Sequence, residues 1–429
     1  MSISSDSQYV DRSQAGEDYP LSAVPSESRK PIWSLAPLLM GFALTSTTLF
    51  AGGLIGSAFP FSTMLTIVLI GNLLLGTYCA AMGYIAQRSG LTTVLMSRFS
   101  FGNIGSRWVD FVLGFTQIGW YAVTNAFIAD ALTKQFGLSD GIKVFLTVFF
   151  TFAFCVTAYI GYTAMDWLSR LAVPAMLVLI AISLIRGFGE VGDLANLQPS
   201  QQMGFGAAIA TVMSTFISGG TQATNWSRFA DTPKNAIWST FLAFFFINGL
   251  LVFTGAFTTL VYGSDDLIAG MAKQGLLLGS LVLLILNVWT TQDNTIYAFS
   301  VAGTNFFRTT KRHAFVIGGA LFALLLALTG IYENLITYLL LLGTLIPPIG
   351  GIIMTDFWLR HQGQFPPLDT ALPAFNWAGV IAYIVAALIA YFTGTAGIGI
   401  GPLNGIISAA ILYAVLTKVI PQPIRVTEM

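Results

Sequence analysis

The sequence predicts an all-α integral membrane protein of twelve transmembrane helices, and three observations lead there. Hydrophobic residues make up 55% of the 429 and charged residues only 9%, against about a quarter charged in a soluble domain. Stretches such as 34–56, 64–86 and 313–330 are nearly free of charge, and about 18 such residues cross the hydrocarbon core as a helix. The runs are continuous rather than alternating, which favours helices over a barrel. Finally, the positive charges segregate: fifteen of the 19 Lys and Arg fall in the two tails and in every second loop.

In chain order, residues 1–31 are polar, with Ser, Asp, Glu and Pro, and are expected to form a disordered cytoplasmic tail. The first apolar run starts after residue 30 and is longer than the core of a secretory signal, so it is expected to be a retained span. Spans are expected near 33–57, 62–86, 108–133, 142–162, 165–187, 205–227, 236–262, 274–304, 314–330, 334–357, 375–394 and 400–420. Residues 32–187 would form a first five-helix repeat and 205–357 a second, inverted one. Helices 11 and 12 lie in 375–420, and 421–429 form a cytoplasmic C-terminal tail. With this count the odd loops hold only Lys134, Lys143, Arg186 and Lys273. The positive-inside rule then puts both termini in the cytoplasm. One miscounted helix would scramble the asymmetry, so it supports the count as well.

The same composition excludes several functions. Formal net charge is zero, so no basic surface points to nucleic acid. No HExxH motif is present, and the chain does not read as a hydrolase or any other enzyme, with no cofactor implied. Cys79 and Cys155 fall within expected spans and read as buried thiols rather than a disulfide.

Two spans are unusual. Span 1 reads "MGFALTSTTLFAGGLIGSAFP" and span 6 "MSTFISGGTQATNWSRF". Both are dense in Gly, Ser and Thr, and each holds a glycine pair, Gly52-Gly53 and Gly219-Gly220. Matched, glycine-interrupted spans at corresponding positions of two halves mark a transporter built from inverted repeats. Unwound backbone there would offer carbonyls and amides to a ligand or ion. Alternatively, the glycines only let helices pack closely.

Span 8 carries "LNVWTTQDN", Leu286 to Asn294. As a helix, Asn287, Thr290, Thr291 and Asn294 fall within a sector of about 100°. Two hydroxyls, the Asn287 carbonyl and carbonyls of an unwound partner suit a small hard cation such as sodium. Alternatively, Thr290 and Thr291 bond back to their own helix. Gln292 and Asp293 point off this sector. A carboxylate within a span is costly, so Asp293 is expected to bond another helix, to serve an inner gate or to carry a proton. In span 3, "TQIGWYAVTN" places Gln117 and Trp120 one turn apart on one face. An indole stacks on a flat heteroaromatic ring, and an amide offers its edge both a donor and an acceptor. Phe216 in span 6 is a candidate for the second face. Alternatively, Trp120 packs at an interface belt.

Seven stretches carry a resemblance: "IGNLLLG" (70–76), "GLTTVLMSRFSFG" (90–102), "TQIGW" (116–120), "STFISGGT" (214–221), "QGLLL" (274–278), "LNVWTTQDNTIYA" (286–298) and "IPPIGGIIMTD" (346–356). In these, and from about residue 29 to about 420, the chain resembles the bacterial cytosine permeases of the nucleobase–cation symport family. The resemblance implies a multi-pass protein of the bacterial inner membrane with two inverted five-helix repeats, like the sodium-coupled amino-acid transporters. It implies that Trp120 and Phe216 sandwich a base, while Gln117, Thr215, Asn287 and span 6 around Ser218 bond its edge. It implies sodium as coupling ion, held by the carbonyls of Gly41, Leu44 and Asn287 and the hydroxyls of Thr290 and Thr291. Gln292, Asp293 and Asn294 are then gating or structural polar groups. The implied function is sodium-coupled cytosine import. Other readings are another heterocycle (hydroxymethylpyrimidine, a purine or allantoin), proton coupling, or a channel or non-transporting sensor. The chain departs from the resemblance at Gln292, where those permeases have Asn, and at Thr215, where they have Ser. It also lacks an Asp after the broken part of span 6, and its span 1 is richer in hydroxyls. These changes leave the sodium ligands in place and bear on the base.

Overall fold

The structure, a computed structural model, describes residues 18–192, 202–263, 271–330 and 335–420. Among them, regular structure is helical apart from one isolated bridge between Lys30 and Ala230. The helices in chain order are α1 (Ile32–Ala43), α2 (Ser46–Ala58), α3 (Phe61–Ser89), α4 (Thr93–Phe101) and α5 (Ser106–Phe136). Next come α6 (Asp140–Ile160), α7 (Tyr162–Glu190), α8 (Phe205–Thr221), α9 (Thr224–Ser227) and α10 (Pro233–Tyr262). Then follow α11 (Leu277–Phe307), α12 (Arg312–Leu328), α13 (Thr337–Arg360), α14 (Trp377–Thr395) and α15 (Gly401–Val419).

Eight of these are long and apolar enough to cross a membrane singly: α3, α5, α6, α7, α10, α13, α14 and α15. Two bent pairs bring the number to ten: α1 with α2, at 55°, and α11 with α12, at 116°. The second pair is better read as a hairpin. With 31 residues, α11 rises about 46 Å, more than the roughly 30 Å hydrocarbon core. The chain is thus an all-helical, multi-pass membrane protein.

The bent pair lies at the centre. Its first half, α1, packs on α7, α10 and α11, and α2 packs on α8 and α10. Long helix α11 in turn lies against α5, α6 and α7. Helices α14 and α15 pack on each other and join the bundle mainly through α13, with further contacts of α14 on α4 and α15 on α8.

The glycine pairs do not make the breaks. The chain leaves the helix at Leu44 and Thr45 (φ −138°, ψ 139°), ahead of Gly52-Gly53, which lie inside α2. A β-branched residue favours this extended conformation. Gly52 and Gly56 instead face α10, where a Cβ would enter the backbone at Val252 and Ala256; reciprocally, a Cβ on Gly255 would enter that of Leu49. Close helix packing is the physical reason for these glycines. Similarly, α8 runs through Gly219-Gly220 and ends at Thr221, with the turn at Gln222–Ala223 before α9. A Cβ on Gly220 would strike the Cys79 sulfur.

Two other expectations change. A disordered tail through residue 31 does not describe residues 18–31. The fully buried guanidinium of Arg228 donates to the carbonyls of Asp18 (2.6 Å) and Tyr19 (2.8 Å). Arg29 donates to the Gln87 carbonyl at 2.7 Å, and Lys30 N–H to that of Phe229 at 2.5 Å. A buried cation needs acceptors, and this segment supplies them. The remaining tail residues lie outside those described, as does 421–429. The stretch 90–102, expected between spans, contains helix α4, capped by the Thr92 hydroxyl accepting from Leu95 N–H at 3.3 Å. Helices α6 and α7 are separated only by Gly161, whose φ of 109° suits glycine.

Candidate functional site

The site begins with a consequence of the break. The last carbonyls of a helix have no amide partner within it, and α1 ends in the middle of the bundle. The Leu44 carbonyl accepts from the Thr291 hydroxyl at 2.6 Å, and the same hydroxyl lies 3.0 Å from the Asn287 carbonyl. One proton cannot serve both acceptors at once, so three oxygens converge there. Thr290 Oγ1 lies 3.0 Å from the Leu286 carbonyl and 3.3 Å from that of Asn287. Both threonines therefore bond back to α11, and Thr291 also reaches across to α1. Gly41 stands beside Thr290: a Cβ there would lie 3.3 Å from Thr290 Cβ and 2.9 Å from Ser169 Oγ of α7. Ser169 Oγ is buried and without a hydrogen-bond partner among the described residues. Every donor in this cluster is a neutral oxygen, the set a small hard cation takes.

Next to the cluster lies an internal cavity. Phe42, Thr45 and Thr47 line it from the first bent pair, Gln117, Trp120 and Thr124 from α5, Thr215, Phe216 and Gly219 from α8, and Thr291 and Thr295 from α11. Its open space is about 20 Å³, roughly that of one water. Thr291 belongs to both the cavity wall and the oxygen cluster.

The aromatic groups are positioned by edge contacts. Half-buried Trp120 meets Tyr338 edge-on, with centroids 5.3 Å apart at 77°. The Tyr338 hydroxyl is itself anchored on the Thr116 carbonyl. Phe216 meets Phe42 edge-on at 5.2 Å and 87°. Gln117 Nε2 donates to Ser218 Oγ at 3.1 Å, and Ser218 also bonds Thr116 at 3.0 Å. Ser218 thus stands behind Gln117, off the cavity wall. Thr215 is on the wall, its hydroxyl donating to the Val212 carbonyl at 2.7 Å.

The polar stretch of α11 divides between neighbours. Asn287 Oδ1 accepts from Ser46 Oγ at 2.8 Å, while its buried Nδ2 has no partner among the described residues. Asn287 does not line the cavity. Asn294 turns onto its own helix, donating to the Thr290 carbonyl at 2.7 Å and to Asp293 Oδ1 at 2.9 Å. Gln292 Nε2 ties α11 to α5, donating to the Tyr121 carbonyl and to Asn125 Oδ1, both at 2.8 Å. Fully buried Asp293 accepts from Thr157 Oγ1 of α6 at 3.0 Å.

Several wall residues escape sequence reasoning. Thr124 follows Trp120 by one turn and Thr295 follows Thr291 by one turn, so extending each helical face by four residues finds them. Phe42, Thr45 and Thr47 carry no such signal, because their placement depends on where α1 breaks. Ser169 shows nothing in the sequence to set it apart.

Comparison with known proteins bears on this geometry. The family model described as "Permease for cytosine/purines, uracil, thiamine, allantoin" matches residues 23–415. The cytosine permease of Escherichia coli K12 is 33% identical over 400 residues, 92% of this chain and 93% of that protein. The cytosine permease of Escherichia coli O157:H7 matches to the same extent. Among solved structures, the nucleobase-cation-symport-1 family transporter Mhp1, closed with bromovinylhydantoin bound, aligns with a TM-score of 0.80 at 18% identity. That match covers 93% of this chain and 96% of Mhp1. A sodium-coupled sialic acid symporter in its substrate-bound outward-open state aligns at 0.68 and 11% identity, over 92% of this chain and 91% of that one. These two likenesses show the fold. With a family model matched along nearly its whole length and a relative one-third identical over the same span, the chain belongs to the family of permeases for cytosine and purines, uracil, thiamine and allantoin.

Proposed function

We propose that this permease is a sodium-coupled symporter that imports cytosine by alternating access across a bacterial inner membrane. In this reading twelve spans cross the membrane, ten in two inverted repeats (32–187 and 205–357) and two at 375–420, with both termini cytoplasmic. The observation that carries it is the shared position of Thr291. Its hydroxyl joins the Leu44 and Asn287 carbonyls at the α1 break and also faces the cavity beside Trp120 and Phe216.

Sodium would take the Gly41, Leu44 and Asn287 carbonyls with the Thr290 and Thr291 hydroxyls, replacing the Thr291–Leu44 bond. The carbonyls at the end of α1, which have no amide partner within the helix, fit that role. A base would insert between Trp120 and Phe216, with Gln117 and Thr215 at its edge and Ser218 holding Gln117, while Asn287, off the cavity wall, would serve the ion. Because the two sites share α11, ion and base would each raise the other's affinity by the same factor. Gln292, Asp293 and Asn294 would fix α11 against α5 and α6.

The test is uptake into proteoliposomes, with and without a sodium gradient, against a panel of bases. Uphill cytosine accumulation driven by sodium is expected. Flux that ignores the gradient would make the protein a channel. Uptake that follows protons alone would move attention to Asp293. A second reading keeps the fold and changes the ligand to hydroxymethylpyrimidine, a purine or allantoin. It draws support from the hydroxyls of Thr45, Thr47, Thr124 and Thr295 on the cavity wall, and the same panel separates it from cytosine.

A further inference from the structure

Arginines at the ends of spans are ordinary, and most of them reach out to water. Three at one end of this bundle are drawn together instead. Arg98 lies in the last turn of α4, Arg107 in the first turn of α5, and Arg308 directly follows α11. One side-chain oxygen holds two of them: Asn103 Oδ1 lies 3.1 Å from Arg98 Nη2 and 3.3 Å from Arg308 Nη2. Arg308 also donates to the Asn103 carbonyl at 2.8 Å and to Asn305 Oδ1 at 2.5 Å. Asn103 and Arg107 are exposed, so the cluster opens to the outside of the bundle.

The nearby carboxylate does not pair with them. Asp110 is buried, and both its oxygens accept from Asn305 Nδ2, at 2.7 and 2.8 Å. Among the described residues no carboxylate lies within ion-pair distance of Arg98, Arg107 or Arg308, whereas Arg170, Arg312 and Arg360 each have one. Arg98 Nε is buried with no hydrogen-bond partner among the described residues. Burial and the charges of Arg98 and Arg107 push the Arg308 guanidinium down to about 10, still charged at neutral pH. Like charges held together without a partner repel, and an anion between them relieves this. Paired guanidinium N–H groups match the oxygens of a phosphate.

The neighbouring surface says what carries that phosphate. Trp108 directly follows Arg107, and Trp108, Phe111 and Phe115 recur on one face of α5. All three are exposed, and they stack in turn, at 5.7 Å and 29° and then at 5.9 Å and 18°. In a multi-pass membrane protein such a face meets acyl chains, and its tryptophan marks the level of the headgroups. An anion with acyl chains of its own uses both the arginines and the aromatic face. Basic pockets between spanning helices take anionic lipid headgroups in this way.

We propose that the junction of α4, α5 and α11 is a binding site for an anionic phospholipid. Its phosphate bridges Arg98 and Arg308, Arg107 adds charge at the rim, and its acyl chains lie along Trp108, Phe111 and Phe115. The site is separate from the cavity and from the oxygen cluster and depends on neither. A lipid held here braces the two helices that carry Trp120 and Thr291.

Native mass spectrometry of the purified full chain, titrated with phosphatidylglycerol or phosphatidylcholine of identical acyl chains, tests it. The wild type should retain phosphatidylglycerol at a concentration roughly tenfold or more below that needed for phosphatidylcholine. The double variant Arg98→Gln with Arg308→Gln should lose most of this preference. Arg107→Gln, at an exposed residue, should lose part of it and serves if the double variant fails to fold. Lys418→Gln, at an exposed lysine on α15, should keep it. No preference in the wild type, or a preference unchanged in the folded arginine variants, overturns the proposal. An equal loss in Lys418→Gln would reduce the effect to net charge and overturn it too. Glycerol 1-phosphate, a phosphate without acyl chains, should not displace the lipid at equal concentration. Displacement would make this a site for a soluble phosphate and overturn the lipid assignment.

Discussion

The Thr291 hydroxyl donates to the Leu44 carbonyl at 2.6 Å, joining the middle of α11 to the break between α1 and α2. If this pair forms part of a cation site, Thr291→Ala should weaken the apparent sodium affinity about tenfold or more, since a hydrogen-bonded or coordinating oxygen is lost from a buried site. Thr291→Ser should remain close to wild type. Initial uptake rates across a sodium titration give the answer, and an unaltered sodium dependence would remove Thr291 from the site.

Stacking makes a separate prediction. Trp120→Ala should raise the dissociation constant for the base by roughly one to two orders of magnitude, as base–aromatic stacking is worth about 1–3 kcal/mol. Trp120→Phe should recover part of this, because Tyr338 still supports the ring's edge. Equilibrium binding in saturating sodium separates the effect from ion binding.

The α2–α10 contact predicts a stability effect independent of ligand. Gly255→Ala would drive a methyl into the Leu49 backbone, so the helices must separate, at about 1–3 kcal/mol. At Gly318 a Cβ would meet nothing within 4 Å, so Gly318→Ala should be neutral or slightly stabilising, as alanine is the better helix former. Thermal unfolding in detergent should rank the two oppositely.

Arg228 predicts a local opening. Arg228→Ala leaves the Asp18 and Tyr19 carbonyls without their guanidinium. Amide exchange across 18–31 should rise at least tenfold, about 1.4 kcal/mol of local stability, within what losing buried, charge-assisted hydrogen bonds costs. The hydrogen bonds of 18–31 described above run to Gln87, Arg228 and Phe229, not to α14 or α15, so exchange in those two helices should not change.

Much of the fold is legible in the sequence because an apolar run of the right length has few options in a bilayer. Helices α3, α5 and α10 follow from length and charge alone. Helix α4 does not, since 93–101 is short and carries Arg98 among polar residues. The breaks were expected at the glycine pairs, but glycine has two uses in a span, and here close packing accounts for Gly52, Gly56 and Gly255. At the site, helical geometry alone separates Gln292 and Asp293 from Asn287 and Thr291, because that requires only one regular helix. Asn72 and Asn248 are not legible as a pair: each is a lone amide in its own span, and only the tertiary structure brings them within 2.8 Å.

The glycine contacts also bear on mechanics. Since α2 meets α10 backbone to backbone at Gly52, Gly56 and Gly255, the two form a single stiff beam. Between that beam and α1 lie only Leu44 and Thr45, outside both helices. The two residues are a joint as well as a source of free oxygen. A ligand that grips the Leu44 carbonyl therefore acts on the joint directly, and by linkage its affinity depends on how α1 is set against α2.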